Sequence, residues 1–237
     1  MKKQIRFWFF QLTSIGLLFL LISCDTLGKK DTETLATDTK VTDSDGNVYT
    51  TVTIGTQVWM KENLKTTKYN DGKSIPLVRG GTAWANLQSP AYCWAFNDSV
   101  MYKNVIGGYY NWFTVNTGKL CPSGWHVPTK DEWTTLSNYL GGYSTSGGKL
   151  KEKGYDHWLI PNEGATNESG FTAYANGVIN DAGNFFRPYV ERSLLWSSTE
   201  YDNTDAWHFQ LNWSNANFDL GYQYFKKSGL GVRCLKN

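Results

Sequence analysis

The chain has few of the side chains that bind metals or perform nucleophilic catalysis. Its three histidines, His126, His157 and His208, lie far apart and lack H-E-x-x-H-like spacing. Its four cysteines include no C-x-x-C pair, which argues against a four-ligand zinc site. Neither a G-x-S-x-G motif nor a P-loop is present. We therefore expect no enzyme activity, no catalytic residue, no cofactor and no metal.

An excess of charge of one sign is also missing. The 23 Lys and Arg residues nearly balance 21 Asp and Glu residues, and no basic cluster marks a nucleic-acid surface. Asp43–Asn47 has a calcium-like appearance, but Gly46 is the fourth residue of this segment, whereas an EF-hand loop needs glycine at its sixth. We therefore expect a turn at Asp43–Asn47 and no nucleic-acid partner.

The N-terminus carries a secretory signal. Three basic residues precede the apolar run Phe7–Ile22, which is followed by Ser23 and Cys24. The last four residues of this segment, LISC, resemble a bacterial lipobox, in which the cysteine becomes the lipidated N-terminus. An ordinary signal peptide with a chance Cys24 and an uncleaved anchor are the alternatives. We expect residues 1–23 to be a lipoprotein signal peptide and Cys24 to carry lipid that binds a membrane.

A polar segment separates Cys24 from the rest of the chain. Residues 25–40 read DTLGKKDTETLATDTK and contain no aromatic side chain, so they cannot bury enough apolar surface to offset their ordering entropy. We predict a disordered tether over residues 24–40 and one domain over residues 41–237. The charged residues after Cys24 loosely resemble export signals, so we expect an exported protein anchored in the cell envelope, at the outer membrane and displayed on the surface.

The domain begins with a hairpin and continues as short strands. Val48–Ile54 is rich in β-branched residues, and Gln57–Met60 follows it after Gly55-Thr56. Further strands are predicted downstream, together with a short second helix around Lys149–Lys153; the strand segments are 157–160, 170–174, 195–198, 206–211 and 231–235. Many short strands with few helices predict an α+β or mainly β fold.

The stretch CPSGWHVPTKDEW, residues 121–133, predicts a capped helix. Thr129 and Glu132 have the spacing of a capping box, directly after Pro128. Trp133, Leu136 and Leu140 then recur on one helical face. Capping is thus favoured over catalysis for Glu132, and we expect His126 to be a scaffold residue.

Three cysteines remain after Cys24, namely Cys93, Cys121 and Cys234. An exported protein meets an oxidising environment, so one disulfide is expected. Because the number is odd, one thiol is left over or pairs between molecules.

Six blocks of sequence carry a family resemblance. They follow one another in the order DSDGNVYTTVTIGTQVWMKENLKTTKYNDG, CPSGWHVPTKDEW, GGKLKEKG, PNEGATNESGFTA, WSSTE and GVRCLK. Over Val41–Lys236 the chain closely resembles the Fibrobacter succinogenes major paralogous domain, which occurs in secreted and surface lipoproteins of Bacteroidetes and Fibrobacteres. This resemblance carries no established activity to particular residues.

A second resemblance concerns the fold. VPTKDEW and GVRC are similar to two segments of formylglycine-generating-enzyme-like domains, which implies an α+β, C-type-lectin-like fold: short twisted strands flanked by one or two helices, with long loops. Lectin-like folds commonly bond a cysteine at the first helix to one on the last strand, which implies a Cys121–Cys234 disulfide and an unpaired Cys93, with Cys93–Cys121 as an alternative. No cysteine lies between Cys121 and Cys234, so the copper chemistry of those enzymes is not expected.

The aromatic content points to binding. The chain has 11 Trp and 14 Tyr residues, of which most should be core. Those in the second half alternate with amides and carboxylates, a combination that suits sugar rings and extended polymers. The candidate ligand-binding residues are Trp158, Asn162, Asn167, Glu168, Trp196, Glu200, Trp207 and Trp213, with Asn203, Asn212 and Asn217 interleaved. We expect a non-catalytic binding domain for a glycan or extracellular polymer; the alternative is a structural or adhesive module that binds another envelope protein.

Overall fold

A computed structural model describes residues 39–186 and 190–237. Antiparallel sheets dominate this part of the chain. The strands are β1 Lys40–Thr42, β2 Val48–Ile54, β3 Gln57–Met60, β4 Tyr92–Cys93, β5 Tyr109–Asn111, β6 Trp125–His126, β7 Val178–Ile179, β8 Phe185–Phe186, β9 Arg192–Glu200, β10 Asp205–Asn212, β11 Asp219–Phe225, β12 Gly229–Leu230 and β13 Leu235–Lys236. The α-helices are α1 Thr82–Ala85, α2 Ser99–Tyr102, α3 Trp112–Val115, α4 Lys130–Tyr139 and α5 Tyr143–Leu150, and a 3₁₀ turn spans Ala95–Asn97.

The strands form three sheets in the described ranges. The first has the order β1-β2-β3-β13-β6, so the last strand lies inside the sheet that the first strands begin. The second is β11-β10-β9, and the third is β4-β5-β12-β7-β8. Two of the sheets are curled. The second sheet has the longest strands, and its open face carries the groove described below.

The predicted hairpin and turn are confirmed. β2 pairs with β3 from Thr51 opposite Met60 to Ile54 opposite Gln57. Gly55 adopts φ 61° at the turn, a conformation that glycine tolerates best. In the earlier turn, the carboxylate Oδ1 of Asp43 accepts hydrogen bonds from the backbone N–H groups of Asp45 and Asn47. This carboxylate closes a turn, as its spacing predicted.

Helix α4 confirms the capping box. The Glu132 N–H donates to Thr129 Oγ1 at 3.3 Å, and the Thr129 N–H donates to Glu132 Oε2 at 2.8 Å. Trp133, Leu136 and Leu140 are buried on one face, as their spacing predicted. Local sequence therefore defines the start of this helix.

The second helix was predicted too far along the chain. It spans Tyr143–Leu150 instead of 149–153 and includes Gly147 and Gly148. A Cβ atom at Gly147 would lie 1.9 Å from the Asn217 carbonyl oxygen, and one at Gly148 would lie 2.2 Å from the Gly164 carbonyl oxygen. These glycines are therefore close-approach positions inside the helix, upstream of the start that was predicted at Lys149.

The strand predictions hold for the long strands and fail for two short ones. Segments 195–198 and 206–211 lie inside β9 and β10, whereas 157–160 and 170–174 form loops, apart from a single bridge between Lys151 and Ala173. Segment 231–235 contributes a single bridge between Gly231 and Leu195 and the first residue of β13. The loop 170–174 is nevertheless anchored, because Phe171 and Ala173 are fully buried.

Aromatic side chains fill the core between the second sheet and α4. Trp133 lies with its ring centroid 4.6 Å from that of Trp59 and 4.7 Å from that of Phe209. Phe218 lies 4.2 Å from Phe209 by the same measure. The expectation that most of the aromatic residues are core residues is confirmed for this cluster.

Cys121 and Cys234 form a disulfide across 113 residues of chain. Cys93 is buried and unpaired among the cysteines that the structure describes. The predicted pairing is thus confirmed, and the alternative Cys93–Cys121 pairing is wrong.

The C-type-lectin-like α+β prediction is wrong. The fold is mostly β, and helices make up 17% of the described residues. α1, α2 and α3 are single turns of four residues, too short to form a layer. The similarity of VPTKDEW and GVRC to formylglycine-generating-enzyme-like domains therefore reflects local elements, a capped helix and a closing strand. Within the described ranges, no helix is both long enough and apolar enough to cross a membrane.

Candidate functional site

Two of the predicted binding residues are core residues. Trp158 and Trp196 are 2% and 0% exposed. Their indole N–H groups donate to backbone carbonyls, that of Trp158 to Ala173 at 2.9 Å and that of Trp196 to Tyr110 at 2.7 Å. Trp158 and Trp196 therefore offer no surface to a ligand, because packing and hydrogen bonds occupy them completely.

The other two predicted tryptophans are half-buried. The Lys130 Nζ atom lies 3.4 Å above the Trp207 ring, and Tyr201 meets the same ring edge-on. Trp213 packs against the core cluster around Trp133. The accessible part of the Trp207 ring is thus already in contact with a cation.

The predicted polar candidates are dispersed. Asn162 is 4% exposed and donates to the carbonyls of Glu152 and Gly154, while Asn167 Oδ1 accepts from the Thr172 N–H. Exposed Glu168 pairs with Lys149, and exposed Glu200 pairs with Lys226. The structure does not gather the eight candidates into one site.

A polar groove of about 480 Å³ lies on the open face of the second sheet. It is lined by Tyr143, Arg192, His208, Gln210, Asn212, Asn215, Asn217, Asp219, Gln223 and Tyr224. An apolar cleft of about 450 Å³ adjoins it and shares Arg192 and Tyr224. Val178, Phe186 and Leu194 supply the apolar wall of that cleft. The two together offer one continuous surface with an aromatic centre and a polar end.

The strand period explains the polar end. Phe209 and Leu211 of β10 are buried in the core, so Gln210 and Asn212 face the groove. The register places Asn212 opposite Arg192 on β9 and Gln210 opposite Asp219 on β11. Directly opposite residues have Cβ atoms about 5 Å apart. These four side chains therefore form one patch that crosses three strands.

Asp219 places a carboxylate in the groove that has no partner among the described residues. Its side chain lines the groove, the residue is 8% exposed, and it accepts no hydrogen bond and forms no ion pair within residues 39–186 and 190–237. Its oxygens are not among the fully buried atoms that lack a partner, so they are open to the groove. The carboxylate is thus held ready for a donor that enters the groove.

Arg192 is the cation of the groove. It is exposed and forms no ion pair with any described residue, although Glu191 is its neighbour in sequence. A guanidinium offers five donors in a planar fork that suits a planar anion. The groove therefore presents an unpaired cation and an unpaired anion to the same ligand.

Tyr224 joins the polar groove to the apolar cleft. Burial raises the pKa of its hydroxyl, as does the nearby charge of Asp181, while Arg192 acts in the opposite direction. The ring therefore stays neutral and serves as an apolar platform with a hydroxyl at one end.

Lys151 supports the groove from behind. Its ammonium is fully buried and donates to three backbone carbonyls, those of Glu163, Asn212 and Asn215, at 2.8–3.0 Å. Burial lowers the Lys151 pKa to about 8, against a smaller opposing effect of Glu163. Asn212 ends β10, and Asn215 lies in the loop 213–218 that follows it (the groove loop). Both residues line the groove, so Lys151 positions this end of the groove.

The histidines have structural partners. His126 Nε2 lies 3.0 Å from Glu132 Oε1, and its Nδ1 lies 2.7 Å from Asn237 Oδ1. His157 Nδ1 lies 2.8 Å from Glu152 Oε2. No group of three His, Cys, Asp or Glu residues able to hold a metal ion occurs in the described ranges. The groove can bind and orient a ligand through its amides, charges and aromatic rings.

Sequence reasoning identified part of this groove. Asn212 and Asn217 were noted among the interleaved amides, whereas Arg192, Asp219 and Tyr224 were not. The available signal was the alternation within the predicted strand segment 206–211, in which the apolar residues Phe209 and Leu211 flank Gln210. The residues of β9 and β11 that lie opposite Gln210 and Asn212 depend on the strand register, which cannot be predicted from the sequence.

The comparisons with known proteins identify a family but no relative of known role. The Fibrobacter succinogenes major domain family matches residues 52–236. No curated protein and no solved structure matches the chain. The matched region contains the capped helix, the disulfide and the groove. The chain therefore belongs to the Fibrobacter succinogenes major domain family.

Proposed function

We propose that the chain is an exported lipoprotein whose domain is a non-catalytic binding module, and that the polar groove holds a carbohydrate chain. The observation that carries this proposal is the Asp219 carboxylate, which lines a groove with Gln210 and Tyr224 and has no hydrogen-bond donor in the described part of the chain. Sugar rings have an apolar face that suits a tyrosine ring, and hydroxyl groups that donate to carboxylates and amide oxygens. An extended sugar chain could occupy the groove and the adjoining cleft together.

The proposed anchoring rests on the sequence alone. Residues 1–23 and Cys24 lie outside the described residues, as does nearly all of the tether over residues 24–40. Lipidation would be tested by labelling cells with an alkyne fatty acid and comparing the wild type with Cys24→Ser. Surface display would be tested by treating intact cells with a protease; a chain that survives intact argues for an inward-facing location.

Carbohydrate binding is tested with the purified full-length chain on a glycan array, followed by calorimetry with the best ligand. Tyr224→Ala and Asp219→Asn are each expected to weaken binding about tenfold or more, because each removes a central contact. Tyr139→Ala and Asp131→Asn, exposed changes on α4, serve as matched controls and should leave binding unchanged. Binding that is equal in all four variants would remove the groove from the proposal.

A second candidate function is a protein-interaction module. Val100 is 93% exposed and Met101 58% exposed on α2, and Phe96 is 44% exposed beside them. Clusters of exposed apolar side chains often mark protein contacts. If Val100→Ser with Met101→Ser abolishes capture of an envelope protein while glycan binding persists, the α2 surface has this second role.

A further inference from the structure

We infer that the ligand of the groove is an acidic carbohydrate of at least two sugar units, whose carboxylate pairs with Arg192 and whose hydroxyl groups donate to Asp219. This inference rests on the proposed carbohydrate binding. It adds the charge class of the ligand and the role of each end of the groove.

Arg192 lies where the polar groove and the apolar cleft meet. Its guanidinium lines both the polar groove and the apolar cleft and has no carboxylate partner in the described part of the chain. A neutral sugar would leave this cation without an anion, whereas a sugar carboxylate can accept two parallel N–H bonds from it. The planar fork thus favours a carboxylate over a spherical anion.

Carboxylates around the groove limit the negative charge that a ligand can carry. Glu191 lines the adjoining cleft, and Asp181 lines a neighbouring cavity that shares Tyr224 and Gln223 with the groove. With Asp219 in the groove itself, these carboxylates oppose a doubly charged phosphate. One negative charge placed at Arg192 is compatible with this arrangement, and the rest of the ligand must be neutral and rich in donors.

The distance between Arg192 and Asp219 sets a lower limit on the length of the ligand. Arg192 and Asp219 lie on the two outer strands of the sheet, and the pairing of Asn212 with Arg192 and of Gln210 with Asp219 offsets them along the strands by two residues. With strands about 4.8 Å apart and about 3.4 Å of rise per residue, the two backbone positions are on the order of 12 Å apart. One sugar ring spans about half of that distance, so contact with both side chains favours two or more units.

Asp219 selects for hydrogen-bond donors. A carboxylate accepts hydrogen bonds and donates none. Vicinal hydroxyls of a sugar supply two donors at the spacing of its two oxygens. Gln210, directly opposite, can bind the same ring through its amide. Asp219 thus recognises the sugar, and Arg192 recognises its acid group.

The test uses calorimetry on the full-length chain with three tetrasaccharides that each carry a single acidic unit, galacturonate, glucuronate or mannuronate, among neutral units, each compared with its methyl ester. The ester keeps the sugar and removes the charge. For at least one of the three, the acid is expected to bind about tenfold or more tightly than its ester, because hydrogen bonds to charged groups are the stronger ones. This preference should shrink as salt is added.

Variants separate the two ends of the groove. Arg192→Gln should reduce the ratio of acid to ester affinity to about one while ester binding is unchanged, and Asp219→Asn should weaken both ligands equally. Arg79→Gln, another exposed arginine, is the matched control. Melting temperatures of all variants should match the wild type, which excludes unfolding.

Each contrary outcome has a distinct meaning. Equal binding of acid and ester overturns the acidic-sugar inference and leaves the proposed carbohydrate binding standing. A preference for sulfated sugars or for an acidic peptide over every uronate overturns it as well. If no member of a broad neutral and acidic glycan panel binds, the inference and the proposed function both fail.

Discussion

The capped helix and the polar groove use charged side chains in opposite ways. At the start of α4, the Glu132 carboxylate receives hydrogen bonds from the Thr129 backbone and hydroxyl and lies 3.0 Å from the His126 ring. In the groove, Asp219 is more deeply buried and has no donor among the described residues. The fold therefore uses the Glu132 carboxylate as a helix cap, whereas the Asp219 carboxylate lines the groove.

This difference separates scaffold from site more reliably than residue type does. The segment CPSGWHVPTKDEW has the cysteine, histidine and carboxylates that catalytic sites use, and its cysteine, its histidine and Glu132 all have structural partners. The groove residues form no recognisable motif in the sequence. Among the described residues, however, Arg192 has no ion-pair partner and Asp219 has no hydrogen-bond donor. Four changes test the contrast, in order of decreasing expected effect.

Replacement of both Cys121 and Cys234 by alanine should have the largest effect. The disulfide closes 113 residues of chain, so its loss should lower the free energy of unfolding by on the order of 4–5 kcal/mol. Urea titration would measure this change, with the unpaired Cys93→Ala as the control of smaller effect. Ligand affinity should persist wherever the variant is folded; a large loss of affinity in folded protein would contradict a purely structural role.

Lys151→Met should reduce both the stability of the fold and the affinity of the groove for its ligand. Three backbone carbonyls lose their donor, which should cost about 2 kcal/mol after the removal of a buried charge partly offsets it. The groove loop should also loosen, so affinity for the ligand should fall.

The pH dependence of stability in the wild type and in Lys151→Met tests the lowered pKa of Lys151. The folded pKa of Lys151 is about 8 and its ordinary value is 10.5, so the unfolded chain binds more protons between these values. The contribution of Lys151 to stability therefore rises as the pH increases through this window. Denaturation at pH 7 and pH 9.5 should show the wild type gaining relative to Lys151→Met; a constant difference would contradict the lowered pKa.

Gly147→Ala should disturb the groove loop directly. The added Cβ would meet the Asn217 carbonyl oxygen at 1.9 Å, so helix and loop must separate, at a cost of about 1–3 kcal/mol. Gly221→Ala is the matched control, because no atom lies within 4 Å of its added Cβ. The control should change stability by less than about 0.5 kcal/mol. Equal melting curves for the two variants would contradict the close approach.

Glu132→Gln should have the smallest effect, about 1 kcal/mol, because the cap is partly exposed. Burial opposes the charged form of Glu132, but hydrogen bonds from Thr129 and His126 outweigh it and lower the pKa below its ordinary value of 4.5. The carboxylate thus stabilises the fold above pH 4.5, and this contribution is lost as the pH falls through the folded pKa. The variant should lose less stability on acidification than the wild type, with Glu168→Gln as the exposed control.

Elements with local signals could be predicted from the sequence. The β2–β3 hairpin and the α4 cap depend on residues within about ten positions of one another, and both formed at the predicted places. The disulfide was implied by a resemblance whose fold proved wrong. It holds because a capped helix near Cys121 and a closing strand at Cys234 are present in either architecture.

Features that depend on tertiary pairing could not be predicted. Trp158 and Trp196 looked like binding residues because amides surround them in sequence, yet both pack inside the core. The second helix was predicted to start only at Lys149, after Gly147 and Gly148, and the close approach of Asn217 and Gly164 to these glycines depends on residues distant in sequence. Asp219 became a candidate only when the register placed it opposite Gln210.

The alternation along β10 has a practical consequence for engineering. Phe209 and Leu211 face the core, and Gln210 and Asn212 face the groove. One side of the strand therefore stabilises the fold, and the other side contacts the proposed ligand. Randomising positions 192, 210, 212 and 219 would change the recognition chemistry while leaving the backbone and its aromatic core intact. The second sheet could thus serve as a display scaffold, in which selected variants of one stable domain recognise different polymers.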